Sequence, residues 1–267
     1  MQDAIQQLTR DTEHIHSEKE LVEKLKRGKP LRVKLGVDPT APDIHLGHAV
    51  QLRKLRQFQD LGHQVVLIIG DFTAMIGDPS GRSVTRPPLT HEEVMVNAKT
   101  FTEQAFLILD SDKTEVAYNG DWFGKMPFQE VIKLNAKVTM QQMLQREDFK
   151  NRLAQQQEVR LHEIQYPIMQ GWDSVVIKSD VELGGTDQLF NNLVGRDLQR
   201  GEGMEPQVVI TLPLLEGLDG KKKMSKSLGN YVGLTDAPSD MFGKMMSISD
   251  ELMPRYYRLG LSQDMAP

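Results

Sequence analysis

The most restrictive stretch of this chain is short. Val65 to Ile69 reads Val-Val-Leu-Ile-Ile, an unbroken run of branched apolar residues. Such a run suits a strand covered on both faces, as in a parallel sheet with helices above and below. A second strand is predicted from Leu31 to Val37, where apolar and basic residues alternate up to Gly36. Beyond it Leu46, Ala49, Val50, Leu52, Leu55, Phe58 and Leu61 recur at helical spacing until Gly62 stops them. Between strand and helix, Asp38-Pro39-Thr40 makes a turn, and Pro42 and Asp43 hold helix-starting positions. His45, Gly47 and His48 therefore fall in the first turn of a helix that leaves a sheet. Unpaired backbone N–H groups and the positive end of the helix dipole suit that place to a polyphosphate. Two imidazoles can donate to phosphate oxygens, and the glycine between them lets a flat base approach the backbone.

The remaining pattern repeats this alternation. Residues 2–27 carry mixed charge at helical spacing and predict two short helices. The run after Ile69, from Gly70 to Pro88, is a long loop rich in Gly, Pro and Ser, at the end of a strand where open α/β sheets bind ligands. Thr90 starts a helix to about Leu109, residues 114–118 a strand, and Asp121 to Leu161 is helical and polar. His162 to Trp172 reads as a helix despite Pro167, and Ser174 to Ile177 as a short strand. The pair Gly184–Gly185 precedes a helix to about Arg200, and Val208 to Ile210 is a further strand. The expected fold is α/β, a doubly wound parallel sheet.

Composition narrows the function. The net charge of −5 argues against a generally basic nucleic-acid coat, so any RNA contact must use local patches. The best patch is Arg146, Lys150, Arg152 and Arg160, diluted by Glu147, Asp148 and Glu158, so a solvated helix face is the expectation. Cysteine is absent, which excludes a disulfide framework, a thiolate zinc site and a cysteine nucleophile. No apolar run is long enough to span a bilayer, and the N-terminus lacks a signal pattern; we expect a soluble, cytoplasmic protein without a membrane partner.

A second motif stands late in the chain: Lys223-Met224-Ser225-Lys226-Ser227, in a hydrophilic loop between Gly220 and Gly229. With His45-Leu46-Gly47-His48 before it, this resembles the paired signature of class I aminoacyl-tRNA synthetases, whose Rossmann-like catalytic domain activates a carboxylate at the α-phosphate of ATP. The likeness is nearest to the tyrosyl enzymes and runs along essentially the whole chain. Gly77–Arg82 matches their mobile loop, Tyr166, Gln170 and Asp173 their amino-acid pocket, and Gly184–Gln188 their ribose and adenylate site.

The resemblance implies roles. Asp78, Tyr166 and Gln170 would hold the α-ammonium of tyrosine, Asp173 would accept from its phenolic hydroxyl, and Gln188 would lie near its carboxylate. Thr40 and His45 would contact the γ-phosphate, His48 the ribose side of ATP, Gly47 the adenine, and Asp187 the ribose hydroxyls. Asp38, Gly185, Met224 and Ser225 complete the ATP set, while Arg82, Arg86, Lys223 and Lys226 would close over pyrophosphate. Magnesium would be carried with ATP, with no dedicated metal site. The implied partners are L-tyrosine, ATP, tRNA(Tyr) and a second copy in a homodimer.

The resemblance also implies a division into a catalytic domain over 1–218 with a helical insertion near 121–161, a linker over 219–232, and the start of a helical anticodon-binding domain over 233–267. With only that start present, the expectation is a catalytic-domain portion that forms the adenylate and transfers it poorly. At Lys34 the better-known tyrosyl enzymes carry a tyrosine; here the lysine is either a solvated strand residue or one that reaches the site. Two other readings stay open: a tryptophanyl-tRNA synthetase, and a synthetase-like protein that binds RNA or nucleotide without catalysis.

Overall fold

The computed structural model describes residues 2–77 and 89–261. Helix α1 (Gln2–Thr9) leads into β1 (His14–His16) and α2 (Glu18–Lys26), then β2 (Arg32–Val37), α3 (Leu46–Asp60) and β3 (Gln64–Ile69). After α4 (Thr73–Ile76), α5 (His91–Ala105) runs to β4 (Thr114–Tyr118). Four helices follow: α6 (Gly120–Phe123), α7 (Phe128–Asn135), α8 (Met140–Met143) and α9 (Glu147–Ala154). The long α10 (Leu161–Val176) precedes β5 (Val181–Gly185), α11 (Leu189–Gly201) and β6 (Val208–Leu212), and α12 (Pro238–Met246) and α13 (Met253–Leu261) close the described chain.

The strands form one sheet in the order β1-β6-β5-β2-β3-β4, parallel throughout except for β1, which runs against β6. Winding proceeds from β2 through β3 to β4 in one direction and from β5 to β6 in the other. The reversal between β2 and β5 opens a crevice at their carboxyl ends. Alternate side chains divide the core between two faces. Val33, Leu35, Val65, Leu67, Val181 and Ile210 pack with Leu8, Leu21, Leu52, Phe58 and Phe101 from α1, α2, α3 and α5. On the opposite face, Val66 and Ile68 meet Ile177, and α10 and α11 pack through Ile164, Ile168, Val194 and Leu198.

Local chemistry sets several boundaries. Thr90 accepts from the Glu93 N–H, and the Glu93 carboxylate accepts from the Thr90 N–H at 2.8 Å, a reciprocal cap that starts α5. Helix α10 passes through Pro167 and continues to Val176, so the short strand expected at Ser174 to Ile177 is instead helix and its end. Close packing carries it through: a Cβ at Gly171 would lie 3.0 Å from the backbone nitrogen of Gly195, so two glycines let α10 and α11 approach. Two strands lacked a readable pattern. β1 is the three-residue His14-Ile15-His16, ordered by pairing with β6, and β5 contains Glu182 and both glycines of the expected pair.

The basic patch does not form a solvated stripe. Arg146 is buried and paired with Asp148 at 2.9 Å, and Arg152 holds buried Glu163 through two guanidinium contacts. Arg160, paired with Glu158 at 3.1 Å, is exposed. No helix among the described residues is long and apolar enough to cross a membrane.

Candidate active site

The crevice between β2 and β5 is a cleft lined by Asp38, Thr40, His45, Gly47 and His48 from one side and by Tyr166, Gln170, Asp173, Asp187, Gln188 and Lys223 from the other. The motifs that are far apart in sequence are stitched together by backbone bonds. Leu46 N–H donates to the Val232 carbonyl at 3.0 Å, and Leu234 N–H to the Ile44 carbonyl at 2.9 Å. Met224 is buried with Val50, Leu215 and Val232, which seats the lysine loop against the start of α3.

At the phosphate end His45 is the N-cap of α3, and its ring lies 4.0 Å from that of His48. The His45 backbone N–H donates to His48 Nδ1 at 3.3 Å, so neutral His48 carries its proton on Nε2. Burial in the cleft, then its neighbour His48, pushes His45 down to about 3; burial and the Lys223 charge push His48 to about 4. Both rings are therefore neutral near pH 7. A Cβ at Gly47 would meet the His45 ring at 3.0 Å, so glycine keeps this surface open. Lys223 Nζ lies 3.0 Å from Asp187 Oδ2 across the cleft, and Lys226 pairs with Asp43 at its rim.

The far end is a closed polar pocket. Tyr166, Gln170 and Asp173 project from one face of α10, as the i, i+4, i+7 spacing predicts. Tyr166 Oη donates to Asp38 Oδ2 at 2.8 Å, and Thr73 Oγ1 to Asp38 Oδ1 at 2.7 Å. Asp173 is buried, with Trp122 Nε1 donating to one oxygen at 3.0 Å and Asn119 Nδ2 to the other at 3.4 Å. Burial dominates these favourable contacts and lifts its carboxyl to about 7. The Gln170 amide is fixed from both ends, by Asn191 Nδ2 at 2.8 Å and Glu182 Oε1 at 3.3 Å.

The other expected site residues fall around this core. The Gly185 N–H donates to Gln188 Oε1 at 3.1 Å, and the Ser225 N–H to Asn230 Oδ1 at 2.9 Å. Asp78, Arg82 and Arg86 lie outside the described residues. Thr73, Asn119 and Trp122 were not anticipated. Their common signal is position: each follows the carboxyl end of a parallel strand beside the crevice. Lys34 is not a solvated strand residue; it is wholly buried behind the pocket.

A family model for class I tRNA synthetases (W and Y) matches residues 26–264. The chain belongs to this family. Among curated relatives of this synthetase, "Tyrosine--tRNA ligase 2" of Pseudoalteromonas translucida is 60% identical over 264 residues, covering 98% of this chain and 66% of that protein. The "Tyrosine--tRNA ligase" of Haemophilus influenzae is 60% identical over 253 residues, covering 95% of this chain and 63% of its own length. The synthetase chain thus spans just under two thirds of these relatives. Its fold is that of solved tyrosyl-tRNA synthetases. One from Archaeoglobus fulgidus, complexed with L-tyrosine, superposes with a TM-score of 0.77 at 23% identity, over 93% of this chain and 74% of that one. A C-terminally truncated mitochondrial enzyme from Aspergillus nidulans gives 0.76 at 22% identity, over 96% and 79%.

Proposed function

We propose that this chain activates L-tyrosine with ATP to give tyrosyl-adenylate and pyrophosphate, and that the adenylate then serves to charge tRNA(Tyr). The observation that carries the reading is Asp173: a buried carboxylate with both oxygens oriented, at the closed end of a cleft whose mouth holds two imidazoles and a lysine. A phenolic hydroxyl is the group such an acceptor suits. Tyr166 and Gln170, on the same helix face, would then flank the α-ammonium together with Asp78. That pose turns the substrate carboxylate toward Gln188 and the histidine pair.

The chemistry follows from charge placement. A carboxylate oxygen of tyrosine attacks the α-phosphorus, the bond from that phosphorus to the bridging oxygen breaks, and pyrophosphate leaves with its electron pair. The carboxylate is already ionised, so the step needs no general base. His45 and Thr40 would donate to the γ-phosphate and His48 to the ribose side. Lys223 and Lys226, with Arg82 and Arg86, would stabilise charge accumulating on the leaving group. Asp187 and the Gly185 backbone would hold the ribose, Gly47 the adenine, and Asp38, Met224 and Ser225 the remaining walls. Magnesium would enter with the ATP phosphates.

Domain limits of 1–218, 219–232 and 233–267, a cytoplasmic location and a homodimer belong to the same reading. Large apolar side chains exposed on the helical side, Phe128 at 77% and Leu161 at 72%, support a second copy packing there. Amino-acid-dependent ATP–pyrophosphate exchange with all twenty amino acids tests the assignment. Tyrosine should give the highest kcat/KM; preference for tryptophan, or no exchange at all, would overturn it.

A further inference from the structure

Behind the amino-acid pocket the sheet carries a charge pair where its neighbours carry hydrocarbon. Lys34 on β2 and Glu182 on β5 are directly paired in the parallel register, and their charged groups lie 2.9 Å apart with exposures of 0% and 1%. On the same face Val66, the β3 partner of Lys34, is apolar. The pair is fully satisfied. Lys34 Nζ also donates to the Gln170 carbonyl at 2.9 Å and to Ser174 Oγ at 2.8 Å. Glu182 accepts from Gln170 Nε2 at 3.3 Å, from Ser174 Oγ at 3.2 Å and from Gln207. Removing two charges from water is costly, and a well-packed apolar pair commonly does as well or better for stability. Stability alone therefore does not account for ions at this position.

Their contacts point elsewhere. Every partner on α10 is either Gln170, whose amide lines the pocket, or Ser174, the residue after Asp173. We propose that Lys34 and Glu182 are positioning residues of the amino-acid pocket: together they fix the face of α10 that presents Gln170 and Asp173, and their opposed charges set the ionisation of Asp173. This rests on the tyrosine reading above. Among the described residues, the groups acting on Asp173 from the elements around it are Lys34 from β2, Glu182 from β5, and the neutral donors Asn119 and Trp122 from the end of β4 and α6. Asp71, nearby in that layer, is turned to the Gly120 N–H at 2.7 Å. Lys34 favours the ionised carboxylate and Glu182 opposes it. An ionised Asp173 is the form that accepts from a phenol, so the pair governs the pH at which tyrosine is bound.

The test is the pH profile of kcat/KM for tyrosine in pyrophosphate exchange. Wild-type enzyme is measured first: absence of tyrosine-dependent exchange sinks the substrate assignment, whereas normal exchange leaves the pair to be judged by its variants. Lys34→Met should move the acid limb upward by about one pH unit, and the near-isosteric Glu182→Gln should move it downward by a similar amount. The double variant Lys34→Met/Glu182→Gln should return it close to wild type. Tyrosine KM should rise about tenfold or more in Lys34→Met at pH 7, with KM for ATP within about twofold. Loss of packing could lower the active fraction but could not shift the limb in opposite directions from the two ends of one pair. Should Lys34→Met fail to accumulate, Glu182→Gln decides alone. Limbs that coincide with wild type in the active variants would overturn the proposal.

Discussion

His45 combines an orphaned donor–acceptor ring with a helix N-terminus. Its Nδ1 is buried without a partner among the described protein atoms, and desolvation keeps the ring neutral. His45→Ala should therefore lower adenylate formation by about 10²–10³, the scale for losing one oriented donor to a transition state. Tyrosine KM should stay within about twofold, as expected for a group that meets only the nucleotide; single-turnover kinetics with each substrate varied separates the two. Asp173 makes a second prediction. Its folded carboxyl titrates at about 7, above the ordinary 3.8, so between those values the folded chain holds a proton that the unfolded chain has lost. This group's contribution to stability thus falls as pH rises from 4 to 7. Asp173→Asn should remove that loss and gain stability over wild type by a few kcal/mol at pH 7, while abolishing discrimination for the hydroxyl. Parallel urea titrations at pH 4.5 and 7 check it: an equal difference at both would refute the buried-acid account.

At the scale of elements, α10 is the part on which the pocket depends. It lies against α11 at a glycine–glycine crossing, and Gly171→Ala would drive a methyl group to 3.0 Å from the Gly195 backbone and the Leu198 side chain. Backbone cannot yield as a flexible side chain can, so the cost should be about 1–3 kcal/mol in urea denaturation. Tyrosine KM should rise with it, because Tyr166, Gln170 and Asp173 ride on the displaced helix. Helix α3 is held differently. Lys54 donates to the carbonyls of Gln7, Leu8 and Arg10, closing the C-terminal end of α1 against α3. Burial lowers this ammonium to about 8.

For the whole molecule, the exposed Phe128 and Leu161 lead to a prediction about assembly. Replacing both with aspartate should leave the helical signal unchanged and convert a dimer to a monomer in sedimentation velocity; a dimer that persists would place the interface elsewhere. The same folded chain carries opposing pH responses. His45 and His48 titrate at about 3 and 4 when folded, below the ordinary 6.5, so their contribution is complete above 6.5 and is lost as pH falls toward 4. Substituting His48 with Gln should flatten the acid side of the stability profile, read as a smaller loss of Tm between pH 6.5 and 4.5.

The sequence by itself determined the elements whose apolar spacing is long or unbroken. β2, β3, α3, α5 and β4 follow from periodicity, and the paired histidine and lysine motifs with the α10 triad placed most of the cleft. Window patterns stop being informative where a segment is short or its partners are distant. Ser174 to Ile177 has strand composition but completes a helix, because packing on α11 outweighs local preference. β1 and β5 are strands only because neighbours supply their hydrogen bonds. Lys34 shows the limit at a single residue. On an alternating strand a lysine reads as solvent-facing, and only the return of β5 beside β2 brings the carboxylate of Glu182 that lets it be buried. Tertiary structure decided that pairing because a charge can leave water only where a partner from elsewhere in the chain meets it.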